Sequence, residues 1–223
     1  MVDILPNFAT TVLASPDKPC VSEGSWRLSY REVDILSDNF CHELAQAGAS
    51  ISDDVCFLGG AGAQRLIFLL ACIKAGYCFC SPILQMGESY TVQFAHLIQP
   101  KVLMFEQGFE DLAEKMAAKA TIPFTTDTVD HGRPATRDLP LEAPSFISFT
   151  SGSTCLSKGM RRNRASLANF IRHGIKLQNL TQDDTVALLG NLWPLRSLRD
   201  LPRGPVLFAM TPPDWAAQVW LNG

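Results

Sequence analysis

Residues 54–84, DVCFLGGAGAQRLIFLLACIKAGYCFCSPIL, contain two short apolar runs on either side of a longer one. The first run ends in glycines, and the long run is apolar on nearly all sides until it stops at Gly76. This pattern predicts a strand, a helix and a second strand, and a helix this apolar must be covered over most of its surface. Because strands joined by a helix usually lie parallel, we expect an α/β fold with mostly parallel sheets flanked by helices.

The same alternation extends along the chain in both directions. Residues 29–48 predict an amphipathic helix, in which Ser29 is the N-cap, Glu32 completes a capping box and Gly48 ends the helix. Further helices are predicted over residues 88–99, 109–120 and 164–179, and further strands over residues 101–105, 121–126, 145–150 and 184–190. We predict a first α/β subdomain over residues 1–124, a polar, proline-rich connection over 125–144, and the start of a second subdomain over 145–223.

Composition excludes several classes of function. The chain has 223 residues, of which 47% are hydrophobic and 18% charged, and its net charge is −3. There is ample apolar material for a core and no extended basic surface for nucleic acid. No apolar run is long enough for a membrane span, and no basic segment precedes the first apolar residues as in a secretory signal. We expect a cytoplasmic protein that neither binds nucleic acid nor spans a membrane.

The seven cysteines are expected to be reduced and mostly buried. Their number is odd, most lie in apolar segments, and no two have the C-x-x-C spacing of a redox or zinc site. Cys78 and Cys80 alternate along a predicted strand, so both thiols should point to the same face. A metal could bind there, but no pair of histidines accompanies these cysteines.

Residues 149–159, FTSGSTCLSKG, follow a predicted buried strand and combine hydroxyl side chains, glycines and one lysine. Backbone amides and hydroxyls in such a loop can surround phosphate oxygens, and the lysine can neutralise their charge. A solvent-exposed turn has the same composition, so the residues alone leave both interpretations open. The carboxyl ends of parallel strands are where ligands bind in α/β folds, and this loop would lie there. The basic residues of KGMRRNR, 158–164, adjoin the loop and favour a local anion site.

Two other nucleotide motifs fit poorly. A Walker A loop needs a glycine before the lysine and a serine or threonine after it, whereas Lys158 lies between Ser157 and Gly159. A dinucleotide motif would use the glycines at 59–62, but Arg65 occupies the position of the third glycine. No acidic residue ends the following strand to bind a ribose, so a tight strand-to-helix turn explains this segment better.

The ordered set of segments resembles the adenylate-forming ligases, the superfamily of acyl-CoA synthetases, luciferases and peptide-synthetase adenylation domains. The loop is similar to the pattern T-S-G-[ST]-[ST]-G-x-P-K-G of that superfamily, and the segments 27–48, 54–83 and 166–171 agree in order and spacing. The resemblance covers about residues 20–200. It implies a carboxylic acid substrate activated with ATP and magnesium as an acyl-adenylate, with CoA or a carrier-protein thiol as acceptor. The implied phosphate-binding residues are Thr150, Ser151, Gly152, Ser153, Thr154, Lys158 and Gly159.

Two loop positions depart from the family pattern. Cys155 replaces a glycine and Ser157 replaces a proline, and each change is expected to weaken ATP binding. The family's adenine- and ribose-binding segments and its C-terminal lysine domain have no counterpart after residue 160. We therefore expect a truncated or degenerate copy with weak or no activity alone, unless a partner chain or self-association completes it. A non-catalytic binding module that reuses the fold is the alternative, and catalytic residues remain unassigned.

Overall fold

The structure, a computed structural model, describes residues 4–60, 62–125, 130, 132, 139–149, 159–177, 179 and 209–210. Within these ranges the helices are α1 (Ile4–Ala14), α2 (Tyr30–Gln46), α3 (Ala63–Ala75), α4 (Glu88–Ile98), α5 (Glu110–Lys115) and α6 (Arg164–Leu177), with a 3-10 turn at Leu84–Met86. The strands are β1 (Pro19–Glu23), β2 (Trp26–Ser29), β3 (Asp54–Leu58), β4 (Cys78–Cys80), β5 (Val102–Phe105), β6 (Ala120–Pro123), β7 (Pro144–Phe149), β8 (Gly159–Asn163) and β9 (Ala209–Met210).

A six-stranded sheet in the order β6-β5-β3-β4-β7-β8 forms the centre of the fold. The strands from β6 to β7 pair in parallel, and β8 pairs antiparallel with β7. A smaller sheet has the order β2-β1-β9. The predicted α/β class with mostly parallel sheets is confirmed.

Side chains alternate between the two faces of the large sheet, and each face is covered by helices. Val55 and Phe57 of β3 face the core shared with α2, α3 and α6, whereas Cys56 and Leu58 face the core shared with α4 and α5. Helix α3 lies within the first core and is buried along nearly its whole length, which explains why its sequence is apolar on almost all sides.

Helices α2 and α3 begin and end where the sequence predicts. Ser29 caps α2 and forms both halves of a capping box with Glu32. Gly76 ends α3 with φ of 78°, in the left-handed region that glycine adopts without strain. Between the helices, Lys74 Nζ donates to Asp34 Oδ1 at 2.6 Å and to Asp38 Oδ1 at 2.7 Å, so the two helices are also joined by a largely buried ionic network.

Some elements differ from the prediction. Helix α5 ends at Lys115, earlier than predicted, and Ala117 has φ of 50° just beyond it. Short elements that the sequence pattern did not predict are α1, β1, β2, β8 and β9. The strand predicted at 184–190 lies outside the described residues.

The predicted subdomain boundary at 125–144 stays a prediction. Strands β7 and β8, which follow that segment in the chain, pair in the same sheet as β3–β6. The segment itself is described only at residues 125, 130, 132 and 139–144. Six cysteines in the described ranges are free and buried, as expected, while Cys155 lies outside them. Among the described helices, none combines the length and hydropathy needed to cross a bilayer.

Candidate phosphate-binding site

The candidate loop leaves the large sheet at the edge where the parallel strands end. Strand β7 runs parallel to β4, with Phe146 opposite Phe79, so its last residue, Phe149, lies at the edge shared by the last residues of β3, β4 and β5. Phe149 pairs with Gly159, the first residue of β8. The nine residues 150–158 therefore connect two paired strand ends at the ligand-binding edge of an α/β sheet.

Most of the predicted phosphate-binding residues lie outside the described ranges. These are Thr150, Ser151, Gly152, Ser153, Thr154 and Lys158, together with the two departures from the family pattern, Cys155 and Ser157. Gly159 is described, and it lies in β8. The structure thus fixes the two ends of the predicted loop at Phe149 and Gly159, and the loop's own contacts stay a prediction.

The base of the loop is closely packed. A Cβ atom at Gly159 would lie 3.0 Å from Phe149 Cε1 and 3.2 Å from Ile147 Cγ2. The Phe149 ring is buried and packs on Phe94 of α4 with the ring centroids 5.0 Å apart. Gly159 does not have a positive φ, so the reason for glycine here is space rather than backbone conformation.

Polar contacts hold the other face of the same hairpin. Ser148 is buried, its hydroxyl donates to the Met160 carbonyl at 3.4 Å, and Arg162 Nε donates to Ser148 Oγ at 3.3 Å. These bonds link neighbouring positions of β7 and β8 directly beside the loop. Together with the packing of the Phe149 and Phe94 rings, these hydrogen bonds fix the register of β7 and β8 at the end of the strand pair next to the loop.

The arginines after the loop contact the protein itself, and their interpretation as a local anion site stays a prediction. Arg161 forms an ion pair with Asp54, and Arg164 Nη1 donates to the Ile73 carbonyl at 2.8 Å. Burial raises the pKa of the Asp54 carboxyl, and the Arg161 charge partly offsets that rise. Arg161, Arg162 and Arg164 therefore help to anchor β8 and α6, and Lys158 lies outside the described residues.

The second glycine-rich segment, residues 59–62, lies at the same edge between β3 and α3 and is filled by carboxylates of the chain. The Gly60 N–H donates to Glu106 Oε2 at 2.7 Å, and the Ala63 N–H at the start of α3 donates to Glu23 Oε2 at 2.8 Å. Glu106 directly follows β5, and Glu23 ends β1. These carboxylates occupy the positions that an anionic ligand would take at the start of a helix.

Arg65 also stabilises the turn between β3 and α3. Its side chain is buried, and its Nη2 donates to the Gly59 carbonyl at 2.6 Å. Burial lowers the pKa of the Arg65 guanidinium to about 10, with the nearby Glu106 carboxylate opposing that change. For Glu106, by contrast, burial raises the pKa of the carboxyl, and the hydrogen bond from the Gly60 N–H and the positive charge of Arg65 partly oppose that rise. This arrangement agrees with a structural turn and leaves no free amide pair for a dinucleotide phosphate at Gly60 and Ala63.

Sequence reasoning missed Glu23, Glu106 and the packing role of Phe149. The dinucleotide pattern places an acidic residue on the strand that follows α3 in the chain, whereas Glu106 follows β5, which pairs with β3 from the other side. An acidic residue directly after a predicted parallel strand, as in VLMFE at 102–106, is the signal that would have found Glu106. In the described ranges no group of three or more His, Cys, Asp or Glu side chains could hold a metal ion.

Comparison with known proteins identifies relatives in both sequence and fold. The chain is 27% identical over 179 residues to the nonribosomal peptide synthetase gliP of Aspergillus fumigatus, covering 76% of this chain and 8% of gliP. It is 24% identical over 188 residues to surfactin synthase subunit 3 of Bacillus subtilis, covering 82% of this chain and 15% of that protein. The chain thus spans a small part of the length of these relatives.

Solved structures share the fold at lower identity. The N-terminal domain of FACL13 from Mycobacterium tuberculosis matches with a TM-score of 0.81 and 16% identity, covering 94% of this chain and 57% of that one. ATP-bound MatB from Rhodopseudomonas palustris matches with a TM-score of 0.76 and 21% identity, covering 93% of this chain and 45% of that one. The sequence profile of the AMP-binding enzyme family matches residues 8–194, which confirms the resemblance to adenylate-forming ligases, and the chain belongs to the AMP-binding enzyme family.

Proposed function

We propose that residues 150–158 bind the distal phosphates of ATP, and that the chain carries this part of a site that activates a carboxylic acid as an acyl-adenylate. The observation that carries the proposal is the pairing of Phe149 with Gly159 at the carboxyl edge of the parallel strands. That pairing makes 150–158 a closed loop at the edge where α/β proteins bind ligands. The family is ATP-dependent, and one of its solved members with this fold is bound to ATP.

In the proposed reaction the substrate carboxylate attacks the α-phosphorus of ATP, pyrophosphate leaves, and an acyl-adenylate remains. The loop's task is to bind the charge that develops on the departing pyrophosphate. The hydroxyls of Thr150, Ser151, Ser153 and Thr154 and the backbone at Gly152 would donate hydrogen bonds, and Lys158 would supply the positive charge. A thiol of CoA or of a carrier protein is the proposed acceptor of the acyl group.

Magnesium is proposed to arrive with the nucleotide. The described residues contain no cluster of acidic, histidine or cysteine side chains that could hold the ion independently. Mg²⁺ in nucleotide sites is often bound largely by the substrate's phosphates and water, so such a cluster is not required. The ion would reduce the negative charge of the triphosphate, and the loop residues would still orient it.

The departures at Cys155 and Ser157 motivate the second part of the proposal, that activity of this chain alone is weak or absent. A side chain at position 155 restricts the close approach of phosphate to the backbone. Without proline at position 157, the unbound loop has more backbone conformations open to it. The same departures favour the second candidate, a non-catalytic module that binds nucleotide or a partner without turnover.

Acid-dependent exchange of labelled pyrophosphate into ATP tests the enzymatic proposal, with amino, fatty and aryl acids as substrates. We expect at most slow exchange, which Lys158→Ala abolishes and Lys119→Ala, at an exposed position far along the sheet, leaves unchanged. ATP binding without exchange for any acid would support the non-catalytic candidate. A chain that neither binds ATP nor exchanges pyrophosphate would contradict the enzymatic proposal and a nucleotide-binding module, and would leave only a module that binds a partner.

A further inference from the structure

Positive charges are concentrated in strand β8 and in the helix that follows it. Residues 159–177, which form β8 and α6, contain five Lys or Arg residues and no Asp or Glu, although the net charge of the whole chain is −3. Three of the five contact the protein itself and help to hold β8 and α6 in place, namely Arg161, Arg162 and Arg164. The other two, Arg172 and Lys176, lie on α6.

The C-terminal half of α6 exposes a basic face, which consists of Arg172, His173 and Lys176. None of these three side chains forms an ion pair with another residue that the structure describes. The helix dipole explains a cation in the last turn, where Lys176 lies, but Arg172 lies one turn earlier. The basic face is therefore more than a stabilised helix end, and its charge suits an acidic surface.

The matching negative charges lie on α5 and on the turn before it. Residues 106–114 contain four acidic residues and no basic one. Asp111 and Glu114 are exposed and form no ion pair within the described ranges, and the neighbouring Lys115 is paired with Glu88 instead. Asp111 and Glu114 thus form an acidic face on α5 that is complementary in charge to the basic face of α6.

The two faces cannot meet within one chain. Helix α5 packs on β5 in the core shared with α4, whereas α6 packs on β7 and β8 in the core on the other side of the sheet. Strands β5 and β8 are also four strand spacings apart in the sheet, which is about 19 Å. Exposed charges are largely screened beyond about 8 Å at physiological salt. The complementary faces are therefore available to another molecule.

We propose that the basic face of α6 binds the acidic face of α5 on a second copy of this chain, so that copies associate head to tail. The contact is heterologous, because each copy contributes a different surface to it. Leu177, which is 63% exposed beside Lys176, adds apolar surface to the contact. Because exposed ion pairs contribute little individually, the association is weak and depends on salt, and it does not require ATP.

Sedimentation velocity of the full chain tests this association. The measurements are made at about 0.02 M and about 0.5 M salt, where charges act over about 20 Å and about 4 Å respectively. At low salt the wild type should sediment faster as its concentration rises. At high salt the sedimentation coefficient should stay that of a monomer at every concentration, because the attraction between the two faces is screened.

Two variants each remove one face without reversing any charge. Arg172→Gln with Lys176→Gln neutralises the basic face, and Asp111→Asn with Glu114→Gln neutralises the acidic face. Each variant alone should associate at least about tenfold more weakly than the wild type. An equimolar mixture should form a heterodimer, because each variant keeps the face that the other lacks. Both variants keep a negative net charge, so net charge does not draw them together.

A matched control separates the basic face from net charge. Lys18→Gln with Arg27→Gln removes the same two positive charges beside the small sheet, where β1 and β2 lie, and should associate like the wild type. Circular dichroism would establish that each variant is folded. If one neutralised variant does not fold, the other still decides, since a folded variant that lacks a face and associates like the wild type contradicts the proposal.

Three results would overturn the head-to-tail contact. A wild type that stays monomeric at low salt would show that the faces do not bind each other. A mixture of the two neutralised variants that does not associate would exclude a contact between α5 and α6. A control variant that loses association as fully as the α6 variant would attribute the effect to net charge.

Discussion

Two glycine-rich segments follow strands of the large sheet, one beginning at Gly59 after β3 and the other beginning directly after Phe149, the last residue of β7. They look alike in sequence, since each follows an apolar strand with small residues. In the first segment, amides at the turn donate to Glu106 and Glu23, and the buried Arg65 holds the Gly59 carbonyl. In the second, the described contacts involve only the strand ends, Phe149 and Gly159.

The difference shows that a glycine-rich turn after a strand is not in itself a ligand site. What matters is which group accepts hydrogen bonds from the exposed backbone amides. Where the chain supplies its own carboxylates, the glycines make room for those carboxylates. Where it supplies none, the turn is available to an external anion. The proposed function assigns residues 150–158 to the second case.

The largest expected effect is a loss of folding stability when Gly59, in the segment after β3, is replaced. A Cβ atom at Gly59 would lie 2.4 Å from Glu106 Cδ, so Gly59→Ala must displace the carboxylate from the Gly60 amide. We expect the free energy of unfolding to fall by about 2 kcal/mol, because the turn loses its hydrogen bond to a charged carboxylate and Glu106 must be displaced. Urea denaturation measures the change, with Gly60→Ala as control. Equal effects of the two substitutions would contradict the structural role of the Glu106 contact.

The next effect concerns ATP affinity, at the second segment. Lys158→Ala should weaken ATP binding about tenfold and weaken AMP binding less, since a charged hydrogen bond to a distal phosphate contributes about 1.5 kcal/mol or more. Calorimetric titration of both nucleotides measures the two affinities, with Lys119→Ala as a control for net charge. The same loss for ATP and AMP would place Lys158 away from the distal phosphates.

A smaller effect, a gain in ATP affinity, is expected when Cys155 is replaced. Replacement by glycine, the residue of the family pattern, should tighten ATP binding by about threefold if the cysteine restricts phosphate approach to the loop backbone. Cys155→Ala is the matched variant, because it removes the thiol but keeps a Cβ atom and should gain less. Dialysis with labelled ATP distinguishes the two. Identical affinities for wild type and Cys155→Gly would mean that the cysteine is tolerated.

The smallest effect is the pH dependence from Glu106. Burial raises the pKa of this carboxyl above its ordinary value near 4.5, so the folded protein holds the proton more tightly than the unfolded chain does. The stabilisation from protonated Glu106 is complete below pH 4.5 and is lost as pH rises through the folded-state pKa. Relative to Glu106→Gln, the wild type should lose stability as the pH rises from 4 to 7. A difference that grows in the opposite direction would contradict the burial effect.

Much of the fold could be predicted because its signals are local. The capping box of Ser29 and Glu32, the stop at Gly76 and the all-round apolar character of α3 each follow from a short stretch of sequence. The sequence does carry a signal for the hairpin of β1 and β2, the two-residue turn Gly24-Ser25 between Glu23 and Trp26, which the prediction overlooked. Strand β8 is harder to predict, because it depends on contacts with distant residues such as that of Arg161 with Asp54. Arg161, which looks free in the sequence, pairs with Asp54, 107 residues away in the chain.

The site, like the fold, has some features that follow from the local sequence and others that depend on distant residues. Phe149 and Gly159, the residues that flank the predicted loop, lie at the carboxyl ends of the parallel strands, as the order of strands and helices predicts. The carboxylates that fill residues 59–62 come from β1 and β5, and only the sheet order brings them to that turn. The space beside Gly159 likewise depends on Phe149 and Phe94, which lie on β7 and α4.

Amide hydrogen exchange with and without ATP tests most directly whether residues 150–158, and not residues 59–62, bind the polyphosphate. The peptides to compare are 144–163, which contains the loop and both paired strands, and 54–66, which contains the turn filled by Glu106 and Glu23. Saturating ATP should slow exchange in 144–163 and leave 54–66 unchanged. Slower exchange in 54–66 with no change in 144–163 would contradict the proposed site.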